Sequence, residues 1–193
     1  MKKLVYILLS VASALSLSSC TGYNRMVEKQ EAVTSQWGNV QNAYQRRADL
    51  IPNLVNTVKG YATHEQETFT QVTEARSRAT QTNINPENLT TESLQEYQQA
   101  QNQLSQALGR LLLIQENYPE LKANQNFLAL QDELAGTENR ISVERNRFNQ
   151  LAQDYNSYIR KFPQVIYAKW FNFETKAYFE AQPEAQTAPQ VQF

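Results

Sequence analysis

Between Pro119 and Pro163 lie 43 residues with a single glycine and no proline. Proline inside a helix loses a hydrogen bond and clashes with the preceding turn, so its absence over this length permits one long helix. The apolar positions there are Phe127, Leu130, Leu134, Ile141, Phe148, Leu151, Tyr155, Tyr158 or Ile159, and Phe162. Steps of three, four and seven place these side chains on one helical stripe. A helix of about 40 residues is roughly 60 Å long at 1.5 Å per residue, well beyond an ordinary globular helix.

The N-terminal half repeats the pattern. Trp37, Val40, Tyr44, Ala48, Ile51, Val55, Val58, Ala62, Phe69, Val72 and Ala79 follow the same spacing. Pro52 interrupts them, and two arrangements fit. One helix kinks there, or two helices meet with Asp49 as N-cap and Pro52 in the first turn. The stripe keeps phase across Pro52, which favours the kinked helix. Thr82 to Asn88 reads as a loop, after which Thr90 or Thr91 caps a helix. That helix carries Leu94, Tyr97, Gln101, Leu104, Leu108, Leu111 or Leu112, and Tyr118, and ends before Pro119. An aromatic segment follows Pro163, with Tyr167, Trp170, Phe171, Phe173, Tyr178 and Phe179. Aromatics dominate core burial, so the plainer expectation is a short helix pair closing one end of a bundle. The alternative is an interfacial or partner-binding patch. Asn172 suits a left-handed turn between the two pieces. No alternating strand pattern is long enough to compete. The fold class is therefore all-α, an elongated antiparallel helical bundle with long helices and a short C-terminal aromatic helical segment.

The first twenty residues carry an address. Lys2 and Lys3 precede an apolar run from Leu4 to Leu17, and Leu17-Ser18-Ser19-Cys20 follows. A basic start, a short apolar stretch and small residues make a secretory signal peptide. The run is too short to span a ~30 Å hydrocarbon core, which needs about 20 residues. Leu-Ser-Ser-Cys resembles a bacterial lipobox, whose cysteine is acylated and becomes the new N-terminus. The chain has no other cysteine, as expected of a thiol reserved for lipid rather than for a disulfide. The expected organisation is a lipoprotein signal peptide at 1–19, a helical domain at 20–182 and an extended tail at 183–193. Cys20 is the lipid-attachment residue, and the protein is tethered to a bacterial envelope membrane with its domain facing the periplasm. Thr21 follows the cysteine, and the choice of inner or outer membrane stays open.

Without Lys2 and Lys3 the 18 basic side chains become 16, against 19 acidic ones. A net charge near −3 argues against nucleic acid as a partner and against a polybasic membrane signal. His64 is the only histidine, and Thr68 stands where a His-Glu-x-x-His zinc motif needs its second imidazole. One histidine and a lipidated cysteine cannot assemble a tetrahedral zinc site. Glu138, Arg140, Glu144 and Arg145 lie near the stripe of the long helix, and Arg46, Arg47 and Asp49 near that of the first. Glycosidase chemistry needs two carboxyls across a cleft. Charges beside helical stripes fit interhelical ion pairs that set register instead. No Gly-x-Ser-x-Gly elbow and no phosphate-binding glycine loop occur. The expectation is a chain without catalytic, metal or cofactor residues and without a small-molecule substrate.

The order of several segments resembles the LemA family. They are Tyr23-Asn24, Trp37, Arg46-Arg47-Ala48-Asp49-Leu50-Ile51-Pro52-Asn53-Leu54-Val55, Val58-Lys59-Gly60-Tyr61, His64-Glu65 and Ala75-Arg76. The run resumes with Tyr118-Pro119-Glu120-Leu121-Lys122-Ala123-Asn124 and Leu130-Gln131-Asp132-Glu133-Leu134. Thr137-Glu138-Asn139-Arg140-Ile141, Arg145, Tyr155-Asn156 and Phe162-Pro163 complete it. The resemblance implies a membrane-attached antiparallel helical bundle with no known catalytic activity. Some relatives lie beside membrane proteases of envelope quality control, and one group is found among proteins that shape magnetosome membranes. The chain departs from the family in its lipobox, where many members resemble signal-anchored proteins, and in Asn172, where glycine is usual.

Three functional expectations follow. The first is a non-enzymatic scaffold or adaptor presenting a helical surface to protein partners such as a membrane protease. The second is a membrane-shaping or homo-oligomerising lipoprotein. The third, against which the missing metal and nucleophile motifs argue, is a hydrolase built on His64, Glu65 and the Arg/Glu seam. Because Tyr23 follows Cys20 by three residues, the base of the first helix is expected within roughly 10 Å of the lipid at ~3.3 Å per extended residue.

Overall fold

The computed structural model describes residues 2–86 and 89–180, with side chains from Thr21 onward. Six α-helices and no strand occur among them: α1 (Lys2–Lys59), α2 (Gln66–Gln81), α3 (Thr91–Leu113), α4 (Pro119–Lys122), α5 (Gln125–Arg160) and α6 (Gln164–Trp170). The expected tail from Pro183 to Phe193 lies outside the described residues.

The helix α1 runs through Pro52 without a break. Asp49 caps nothing there; it accepts a hydrogen bond from Gln45 one turn earlier, at 2.8 Å. Thr90 does cap α3: its hydroxyl accepts from the Ser93 backbone, while the Ser93 hydroxyl accepts from the Thr90 N–H. Tyr118, restricted by Pro119, leaves the helical region with φ −131° and ψ 84°, after a 3₁₀ turn at Ile114–Asn117. Asn124 starts α5 by accepting from the Phe127 N–H.

The chain divides into two compact units. One comprises the chain up to Leu50 with Leu130–Lys176; the other comprises Ile51–Ala129 and the chain from Ala177 on. In the first unit, α1 and α5 pair antiparallel: Lys29 meets Asp154, Gln36 meets Glu144, and Arg46 meets Glu133. Met26, Val33, Trp37, Val40 and Tyr44 are buried from α1, and Leu134, Ile141, Phe148, Tyr155 and Ile159 from α5. Trp37 and Phe148 meet edge to face at 5.7 Å. In the second unit, α2 and α3 also run antiparallel, with the Gln101 amide donating to the Ala79 carbonyl and the Tyr118 hydroxyl donating to Glu65. Phe69, Val72, Leu94, Leu104 and Leu111 fill its core.

Every residue named on the N-terminal stripe, from Trp37 to Ala79, is buried. Phe162 departs from expectation. Because α5 ends at Arg160, Phe162 leaves the stripe and is 80% exposed. The expected aromatic helix pair is one helix only. After α6, Asn172 turns left-handed at φ 57°, and residues 173–180 continue without helix. That segment is held by amides on the helices. Within the first unit, Asn156 bonds both the Lys176 N–H and its carbonyl, each at 2.8 Å. Within the second, Gln98 donates to the Glu180 carbonyl at 2.8 Å.

Phe148→Ala removes a fully buried ring from the first unit. It should lower that unit's stability by about 3–5 kcal/mol in urea unfolding followed by circular dichroism.

Candidate functional site

Arg47 is drawn into the first unit by helical period. Seven-residue steps along α1 give Met26, Val33, Val40, Arg47 and Leu54, so a guanidinium occupies a core position and is 1% exposed. A buried cation is costly unless a partner compensates it. Arg47 Nη1 reaches Glu138 Oε1 on α5 at 2.8 Å, and its guanidinium lies 5.1 Å from the Tyr44 ring centre. The Tyr44 hydroxyl titrates above its ordinary range because it is buried, an effect opposed by the Arg145 charge.

One layer along, Glu144 is buried on α5. It accepts from Gln36 Nε2 at 2.6 Å and from Arg140 Nε at 2.6 Å, and Gln36 in turn accepts from Asn39 at 3.1 Å. Gln36 also donates to the Glu144 carbonyl at 3.1 Å. An exposed pair, Arg46 to Glu133 at 2.7 Å, closes the other side. Between these pairs lies an open groove of about 580 Å³, lined by Asn39, Asn42, Arg46, Glu133, Thr137 and Arg140 among others.

The expected charged seam is therefore assembled from Arg46, Arg47, Glu138 and Glu144. Arg140 serves within α5, as an i,i+4 partner of Glu144, rather than across helices. Asp49 stays on α1. Gln36, Glu133 and Thr137 join the seam without having been expected in it. Gln36 sits one residue before the conspicuous Trp37, and an amide at that register was the available signal. Each charge in the seam meets an opposite charge or an amide, and such an arrangement fixes helix register.

His64 and Glu65 fall elsewhere, in the turn between α1 and α2 in the second unit. His64 is exposed, and Glu65 accepts from the Tyr118 hydroxyl at 3.3 Å. Neither lines the groove described above. Among the described residues, no three His, Cys, Asp or Glu side chains gather as a metal site. No helix among them is long and apolar enough to cross a membrane. Cys20 falls within α1, and its side chain lies outside the described residues.

Tyr155 is fully buried, and its hydroxyl reaches no hydrogen-bonding group of the described residues. Burial, helped by the Glu174 charge, pushes its pKa up to about 12. The neutral phenol is thus the form the fold accepts.

Known proteins resemble this chain in sequence. A sequence model of the LemA family matches residues 36–193. The magnetosome protein MamQ of Magnetospirillum gryphiswaldense is 26% identical, over 88% of this chain and 70% of its own length. The magnetosome protein MamQ 1 of Paramagnetospirillum magneticum is 25% identical over 86% and 67%, respectively. Protein LemA of Metamycoplasma hominis is 25% identical over 82% and 68%.

Two outcomes test the seam. Glu138→Ala should cost about 1–3 kcal/mol, because it strips a charged partner from a buried guanidinium. Glu133→Ala, at an exposed pair, should cost less than about 1 kcal/mol, and urea midpoints compare the two. For Tyr155 the folded pKa lies above that of the unfolded chain. Its contribution to stability is complete below about pH 10 and is lost as pH rises through about 12. Thermal melts across this range should show that loss, and Tyr155→Phe should reduce it.

Proposed function

This chain belongs to the LemA family, and from that premise we propose that it is a membrane-tethered, non-enzymatic scaffold or adaptor of the bacterial envelope. Acylated Cys20 holds it at the membrane, its domain faces the periplasm, and its helices present a surface to protein partners. The observation that carries this reading is the engagement of the seam. The charges that acid–base chemistry would recruit are bound to one another across α1 and α5. The Glu144 carboxylate is occupied by Gln36 and Arg140. The continuity of α1 supports the tether, because the helix that contains Cys20 also contributes Trp37 and Arg47 to the core. A lipid at Cys20 therefore positions a rigid element.

The relatives named as magnetosome proteins favour a second reading, in which the chain shapes a membrane or assembles with its own copies. Sizing of the lipid-free protein with liposomes discriminates, since a strict monomer that ignores liposomes excludes it.

Crosslinking in intact envelopes tests the scaffold. The wild-type protein should capture a discrete set of membrane proteins, and Cys20→Ala should leave the membrane fraction and lose them. Recovery of lipids and abundant bystanders alone would contradict the proposal.

A further inference from the structure

The segment that closes the first unit leaves an apolar surface uncovered. Phe162 is 80% exposed, Trp170 75% and Phe171 55%, and Val165 and Ile166 are exposed beside them. Five large apolar side chains are thus exposed within ten residues, a concentration of the kind that marks an interaction surface. Two further observations say what covers it. The first is position. The Phe171 ring packs edge-on against Tyr23 at 5.0 Å, and Phe173 packs against the same ring at 5.6 Å. Tyr23 follows Cys20 by three residues on α1, about 4.5 Å of helical rise. The second is charge. From Tyr155 to Phe173 the chain carries Arg160, Lys161 and Lys169 and no acidic residue, although the chain as a whole is acidic. Tryptophan and phenylalanine flanked by lysine and arginine match the boundary between lipid headgroups and acyl chains.

We propose that the surface formed by Phe162, Val165, Ile166, Trp170 and Phe171 is a second membrane contact, seated in the interface of a bilayer containing anionic lipid. The inference rests on the tether proposed above and adds a geometric role to it. A lipid on one residue holds the protein at the membrane but lets it swivel. A protein contact beside that lipid fixes the tilt of α1. Arg160, Lys161 and Lys169 meet the anionic headgroups, while the aromatic rings enter the acyl boundary.

The chain has two tryptophans, which makes the test direct. Trp37 is wholly buried and lies 14 residues beyond Tyr23 along α1, whereas Trp170 lies in the patch. The full acylated chain is reconstituted into phosphatidylcholine–phosphatidylglycerol vesicles whose acyl chains are brominated near the glycerol. Trp170→Phe supplies the Trp37 baseline and also reports that the core is intact. Bromolipid should quench most of the emission that distinguishes wild type from Trp170→Phe and leave the Trp37 emission unchanged. Replacing phosphatidylglycerol with phosphatidylcholine should weaken the quenching. Flotation of the vesicles reads the tether independently. Protein that floats while Trp170 escapes bromine overturns the membrane contact and leaves the tether standing. If Trp170 is then also shielded from aqueous iodide, the patch is covered by a second copy of this chain. Protein that does not float overturns both.

Discussion

Two polar layers interrupt the apolar seam between α1 and α5, and the pairing of these helices depends on them. On α1 the buried guanidinium of Arg47 follows Val40 by seven residues, and on α5 Thr137 and Glu144 stand between Leu130 and Leu151 on one seven-residue repeat. The parallel repeat on α5, Phe127, Leu134, Ile141, Phe148 and Tyr155, is apolar at its first four positions and aromatic at its last. Apolar layers tolerate sliding, because one heptad of leucine, phenylalanine and isoleucine packs much like the next. A slide by one heptad would take Arg47 away from Glu138 and Glu144 away from Gln36. A buried charge stripped of its partner costs several kcal/mol. The polar layers therefore select one register out of several that hydrophobic burial alone would accept.

That division of labour explains which features were legible from the sequence. Helix periodicity located the core almost residue by residue, because a 3.6-residue period leaves little freedom about which side chains face inward. The capping of α3 by Thr90, the left-handed Asn172 and the Arg46–Arg47–Glu138–Glu144 seam were all accessible from local chemistry. The phase of the stripe across Pro52 favoured a single helix, and α1 runs through it. Two things were not legible. Phe162 keeps the period of α5 but lies beyond its last turn, and periodicity does not report where a helix stops. The extended stretch after Asn172 is held by Asn156 and Gln98, whose partners are backbone groups distant in sequence. Backbone acceptors have no sequence signature, so such contacts are invisible to spacing.

The same seam bears on function. Carboxylates and guanidinium groups paired across two helices supply specificity of fold. What the fold leaves available lies outside the seam: the helix surfaces and the aromatic face around Trp170. In the proposed reading, an adaptor would use surfaces of this kind, and a tether at Cys20 would give them a fixed neighbourhood.

A double-mutant cycle across α1 and α5 tests the central claim most directly. Arg47→Met, Glu138→Leu and the double variant are compared with the wild type by urea unfolding. If the pair sets the register, the double variant should be more stable than the sum of the single losses predicts, by about 1.5–3 kcal/mol. Single losses that add to within about 0.5 kcal/mol would show that Arg47 and Glu138 act independently and that this pair does not align the helices.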